Sequence, residues 1–345
     1  MPTGIQPLFS VQEGSTMKSA HAIRLSACAV LAILALPAAA GPFGPSNLVS
    51  DDPTVHAAQI TDPDLVNAWG LSDSPTSPFW ISANGTGTAD LYTVNPITQA
   101  TAKAGLTVTI PGAGTPTGQV FNGNAGAAFG GDQFLFVSED GTIAGWRSSL
   151  GTNAETLMPG SDANVYKGAA FATIGSDSYL YAANFRSGAI DVLKGSVAEP
   201  GLSGTFADPS LPAGYAPFNI QSLAGSLYVS YALQDSDKHD EIAGAGQGFV
   251  DRFDLQGNLL GRVAGGGTLN APWGMAIAPS SFGSLAGSLL VGNFGDGRIN
   301  AFNFTSNAFL GQLMATDGTP LTIDGLWALA SGNDANAGSS KLLYF

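Results

Sequence analysis

The sequence predicts an all-β fold of the propeller kind, with six blades of four short strands and the last blade apparently truncated. Three observations predict it. A short strand opening on a small residue recurs at Gly70, Gly126, Gly168, Asn219, Gly274 and Gly325, at intervals of 42 to 56 residues. A second strand rich in aromatic and β-branched residues follows each opening: Phe79 to Asn84, Phe134 to Glu139, Tyr179 to Asn184, Ser226 to Tyr231, Ser288 to Asn293 and Lys341 to Phe345. Helical periodicity is absent beyond the N-terminal segment, so nothing competes with the strand reading. A unit of about 50 residues repeated around a ring is the signature of propeller blades.

Taken in chain order, residues 1–16 read as an extension from a miscalled start. From Met17 the chain has a basic start (Lys18, Arg24), an apolar run from Leu25 to Leu36 and a small-residue cleavage site ending at Ala40. That pattern is a signal peptide over 17–40, and the run is too short to span a bilayer. Cleavage would remove Cys28, the single cysteine, so the exported chain would fold without disulfides. Residues 41–345 form one propeller domain with no transmembrane segment. Ser46 to Ser50 read as a strand that completes the last blade.

Within each unit a third strand follows a Gly-containing turn: Ala89 to Asn95, Thr142 to Arg147, Ala189 to Lys194, Gly248 to Asp254 and Arg298 to Phe304. Fourth strands read at Leu106 to Ile110, Leu259 to Ala264 and Phe309 to Ala315. Small inner-strand residues suit crowding at the axis, and the aromatic second strands fill the space between blades. The sixth unit stops inside its second strand, at Tyr344 and Phe345, which reads as a C-terminal truncation.

Charge narrows the function. With 12 Lys and Arg against 26 Asp and Glu, net charge is −14, and no basic cluster exists to bind nucleic acid. No G-x-S-x-G elbow or phosphate-binding loop is present, and only His56 and His239 lie beyond the signal segment. No catalytic residue is assigned on these grounds.

Two groups stand out as candidate sites. Trp69, Lys167, Trp273 and Asp324 read as residues that precede inner-strand openings at one mouth of the channel. Two tryptophans flanking Asp324 have the makings of a small-ligand or sugar site, and equally of an aromatic plug. Asp235, Asp237, Asp240 and Glu241 form the densest acidic cluster, in a loop after the second strand of blade four. Ca²⁺ is the cofactor such oxygen ligands could hold, and a solvated loop is the alternative, because the spacing is not that of an EF-hand.

The segments Asn47 to Asp51, Asp64 to Leu71, Gln234 to Glu241, Asp324 to Leu329 and the Gly-rich stretch from Ser331 to Ser340 carry a resemblance. They resemble an uncharacterised family of exported bacterial propeller proteins, some with a PEP-CTERM sorting tail. More distantly, the strands are similar to NHL-type, gluconolactonase-like and strictosidine-synthase-like propellers. The resemblance implies no assigned activity. The function it leaves is a secreted or periplasmic module binding an extracytoplasmic protein, glycan or small molecule. The alternative is a metal-dependent lactonase- or esterase-like hydrolase at the channel mouth.

Overall fold

The computed structural model describes residues 41–345 and, as backbone, the strand Leu8–Glu13. The expected extension (1–16) falls outside these residues except for that strand, and the expected signal segment (17–40) lies outside them altogether. The chain is a β-propeller with four-stranded blades. Five blades are each drawn from one continuous run of chain, with strands in sequence order and antiparallel. Their inner strands are Ala68–Ser72, Pro116–Phe121, Tyr166–Ile174, Tyr215–Leu223 and Pro272–Ile277. The third blade has three strands, ending at Ala189–Lys194.

Where a sixth blade was expected, a composite sheet stands. It is ordered Ala330–Ser331, Leu343–Tyr344, Leu8–Glu13, Phe43–Ser50 and Ile60–Thr61. Ser46 to Ser50 therefore belong to the sheet of the C-terminal strands, as read, with Leu8–Glu13 lying between them. The structure shows five contiguous blades where six were expected, with this composite sheet beside them.

Second strands are buried on both faces, because each lies between two neighbouring sheets: Phe79–Ala83, Phe134–Ser138 and Leu289–Asn293 are buried along their whole length. An alternating pattern would leave one face wet, so the sequence runs apolar instead. At the first junction Trp80 stacks on Phe134 at 4.1 Å. At the closing junction Leu48, Val49 and Tyr344 of the composite sheet pack with Phe79, Ile81 and Tyr92 of blade one. Among the described residues no helix is long and apolar enough to cross a membrane.

Close approach at the axis explains the small residues. A Cβ on Gly118 would lie 2.6 Å from Ala169 N and 2.7 Å from Gly168 Cα. In the same way Gly70 abuts the Thr117 to Gln119 backbone, Gly168 abuts Asn219, and Gly274 abuts the Trp327 to Leu329 backbone. These contacts correct two registers. The second inner strand is Pro116–Phe121 and not the stretch around Gly126, where Phe129–Gly131 is a 3-10 turn. Pro, Thr and Gly make Pro116–Phe121 look like a loop, whereas Ala128 and Phe129 are apolar because they pack between blades two and three. In the sixth unit the residue at the axis is Ala328, three positions after Gly325.

Candidate functional site: the two ends of the axis

Inner strands all begin at one end of the axis. With the registers corrected, the residues preceding the axial positions are Trp69, Thr117, Lys167, Phe218, Trp273 and Trp327. The three tryptophans are each 6 % exposed or less. Trp69 stacks on Trp327 at 3.6 Å, and Trp273 meets both edge-on at 6.5 and 5.7 Å. Phe294 covers the other side of Trp327 at 4.1 Å. This end is an aromatic plug, and no space separates Trp69 from its neighbours for a ligand. Trp327 holds the position expected for Asp324, which is exposed and apart from the cluster.

Lys167 is the one charged residue in this ring and is fully buried. Its ammonium lies 5.1 Å from the centre of the Trp69 ring. A buried charge demands partners. Nζ donates to Glu139 Oε1 at 2.5 Å and to Asp240 Oδ1 at 3.3 Å. Asn84 donates to the second oxygen of Glu139 at 3.0 Å, and Asn67 donates to Asn84. His239 Nδ1 lies 2.9 Å from Asp240 Oδ1. The sequence thus placed Lys167 and Asp240 in separate candidate sites, and the structure joins them.

Of the four expected calcium ligands, Asp240 is committed to Lys167. Burial opposes its ionisation, but the charge of Lys167 and the contact with His239 outweigh this and hold its carboxyl below the usual range. Asp235 caps its own turn, accepting from the His239 backbone N–H at 2.9 Å, and Asp237 is exposed. Burial pushes Glu241 up to about 7, with Lys167 opposing. The grouping close enough to hold a metal, among the described residues, is instead Glu139, His239 and Asp240. Lys167 bonds both of its carboxylates, so an ammonium occupies the place a cation would take. The donor set does not fit a metal.

At the other end the inner strands finish around an open cavity of about 380 Å³. Ser72, Asp73, Gln119, Phe121, Phe171 and Gln221 line it, from blades one to four. Gln119 is 5 % exposed, and its amide nitrogen donates to Gly70 O at 2.7 Å and Trp80 O at 2.5 Å. Its Oε1 and the Oγ of Ser72 are both closed off from solvent and have no hydrogen-bond partner among the described residues. Burial raises Asp73 to about 7. Sequence reasoning missed this cavity. A signal existed: Gln119 occupies the position after an axial glycine where blades one, three and five have Leu71, Ala169 and Met275. It becomes visible only when Pro116–Phe121 is recognised as an inner strand.

No family model matches the chain. Relatives that match most of its length include two viral proteins. It is 32% identical to the uncharacterized protein R648 of Acanthamoeba polyphaga mimivirus over 313 residues, covering 84% of this chain and 76% of the relative. It is 30% identical to the uncharacterized protein L690 of the same virus over 311 residues, covering 84% and 81%. The chain belongs to their family. These relatives are viral, where the sequence resemblance pointed to bacteria. Among solved structures it is similar to a streptogramin B lyase, with a TM-score of 0.48 and 14% identity, covering 83% of this chain and 94% of the lyase. A PQQ-bound aldose sugar dehydrogenase from Streptomyces coelicolor gives 0.46 and 14%, covering 81% and 93%.

Proposed function

We propose that this chain is a six-bladed binding module, the composite sheet serving as sixth blade, and that it holds a small molecule in the axial cavity. The observation that carries this reading is the open cavity itself, about 380 Å³ at the ends of the inner strands of blades one to four, with Asp73, Gln221 and Ser222 among its lining residues. Polar and apolar residues share the lining equally, so the cavity suits a polar small molecule with an apolar part lying against Phe121 and Phe171. The plugged end supports a structural role for Trp69, Lys167 and Trp273. Among the described residues, the donor set at that end is closed by Lys167, which counts against the hydrolase alternative.

Native mass spectrometry and thermal-shift screening of the purified protein test this reading. A ligand should raise the melting temperature, and blocking the exposed rim of the cavity by Ser222→Trp should remove the shift. A ligand whose shift survives that substitution binds elsewhere and overturns it.

Export belongs to the same proposal and rests on residues 17–40. Expression from Met17 in a bacterial host should deliver a product outside the cytoplasm beginning at Gly41. A product retained inside with residues 17–40 attached would overturn it.

A further inference from the structure

We propose that the exported chain carries an open strand slot in its composite sheet, and that an extended segment of a partner protein fills it; this rests on the export reading. In the full chain Leu8–Glu13 stands in that slot, between Leu343–Tyr344 and Phe43–Ser50. It runs antiparallel to both. On one side it pairs from Leu8 with Val49 to Glu13 with Phe43, and on the other Ser10 pairs with Tyr344 and Val11 with Leu343. A start at Met17 and cleavage after Ala40 each take this strand away. The exported chain then keeps both walls of the slot and loses its occupant.

Contacts that do not involve Leu8–Glu13 hold the walls. Tyr344 donates its hydroxyl to Gln99 Oε1 at 2.6 Å, accepts from the Ser339 N–H at 2.9 Å and lies 4.8 Å from the Phe79 ring. On the opposite wall Phe43 N donates to Met314 O at 2.8 Å, and its ring lies 4.7 Å from that of Phe282. The far edges are already paired, Leu343 and Tyr344 with Ser331 and Ala330, Val49 and Ser50 with Ile60 and Thr61. Removing the strand therefore leaves two edges facing each other about 10 Å apart, twice the spacing of bonded strands. They are too far apart to bond one another, and their backbone groups need partners. An extended peptide supplies both ladders at once, which is recognition by strand addition. The chain's own occupant, Leu-Phe-Ser-Val-Gln-Glu, defines the chemistry that fits: no proline and no charge before its last residue. The partner segment is uncharged, free of proline, about six residues long and antiparallel to Phe43–Ser50.

The test places a protease site between residues 17 and 40 of the full chain, folds the protein, cuts it, and adds a fluorescent peptide of residues 6–15 in large excess. Folding precedes cutting, so the walls form around their own strand. The peptide should exchange for the cut piece, one per chain by native mass spectrometry. A peptide carrying Val11→Pro should bind at least about tenfold more weakly, because proline cannot sit in a strand paired on both sides. The uncut chain should also take up peptide at least about tenfold more weakly, since its tethered strand competes at a roughly millimolar effective concentration. An alternating threonine–valine peptide of the same length should bind the cut chain, because the backbone carries the affinity.

No exchange into the cut chain, equal binding of the proline peptide, or equal uptake by the uncut chain overturns the slot. A cut chain that dimerises in place of taking peptide has filled the slot with a second copy, which overturns the partner inference, and refusal of the threonine–valine peptide does the same. The cut is made in vitro, so none of these outcomes depends on export. Failure of the export reading shows separately, as a product inside the cell that keeps residues 17–40.

Discussion

The indole N–H of Trp273 donates to the backbone carbonyl of Lys167 across 3.0 Å, joining blade five to blade three through the middle of the molecule. The bond fixes the tryptophan at the plug and the lysine backbone beside it. Trp273→Ala should lower unfolding free energy by about 3–5 kcal/mol, the usual cost of truncating a buried aromatic side chain. Chemical denaturation measures it. A loss under 1 kcal/mol would mean that the plug is not packed as described.

Lys167→Met should destabilise by about 3–5 kcal/mol, since it leaves two carboxylates facing one another without a cation. Adding Glu139→Gln should restore part of that loss by removing one of the stranded charges. Additive losses in the double-mutant cycle would show that Lys167 and Glu139 act independently, against the geometry.

Gly118→Ala should be among the most damaging single changes in the chain. The new Cβ would meet backbone atoms at 2.6 and 2.7 Å, and backbone of a neighbouring blade cannot step aside as a side-chain tip can. Circular dichroism should show a melting point lowered by ten degrees or more, or no cooperative transition at all, on the order expected for overpacking above 3 kcal/mol. Gly105, with nothing near its would-be Cβ, supplies the control, and Gly105→Ala should melt within a few degrees of the parent.

Asp73 sets a pH dependence of definite sign. Its carboxyl titrates near 7 in the native state against 3.8 in the unfolded chain, so the native state binds the proton more tightly. The stability this confers is complete below about pH 4 and is lost as pH rises through 7. Asp73→Asn is always neutral, so it should match the parent at pH 4 and exceed it by about 1–3 kcal/mol at pH 8. Urea melts at both pH values decide the matter, and an advantage that does not grow with pH would refute the burial of this group.

The acidic loop should ignore calcium. Asp240 is held by Lys167 and Asp235 by the turn of its own loop, so chelator or millimolar Ca²⁺ should leave the melting temperature where it was. A ligand bound to the native state alone would raise it by mass action, and such a rise would reinstate the loop as a metal site.

The repeat was legible because each blade must bury its second strand on both faces. Tyr179 to Ala183 and Ser226 to Tyr231 write that requirement as dense apolar runs. Inner strands are written more faintly. Their requirement is smallness at one position, which Gly118 meets inside a stretch that also reads as a turn, while Ala125 to Phe129 imitate a strand for the sake of inter-blade packing. That one misregistration hid Gln119, and with it the cavity. Lys167 was found because it directly precedes the inner-strand opening at Gly168. Its pairing with Asp240 was not, since 73 residues separate them and no local pattern encodes the meeting.

Phe43 N donates to Met314 O at 2.8 Å, and Val94 N donates to Asn336 O at the same distance. Each of these bonds joins segments more than 240 residues apart, so the first blade to leave the ribosome cannot settle its flank until almost the whole chain has followed. The nascent protein must therefore carry exposed strand edges through most of its synthesis. Such high contact order makes folding slow, and it places the demand for chaperones before the last strands are made rather than after.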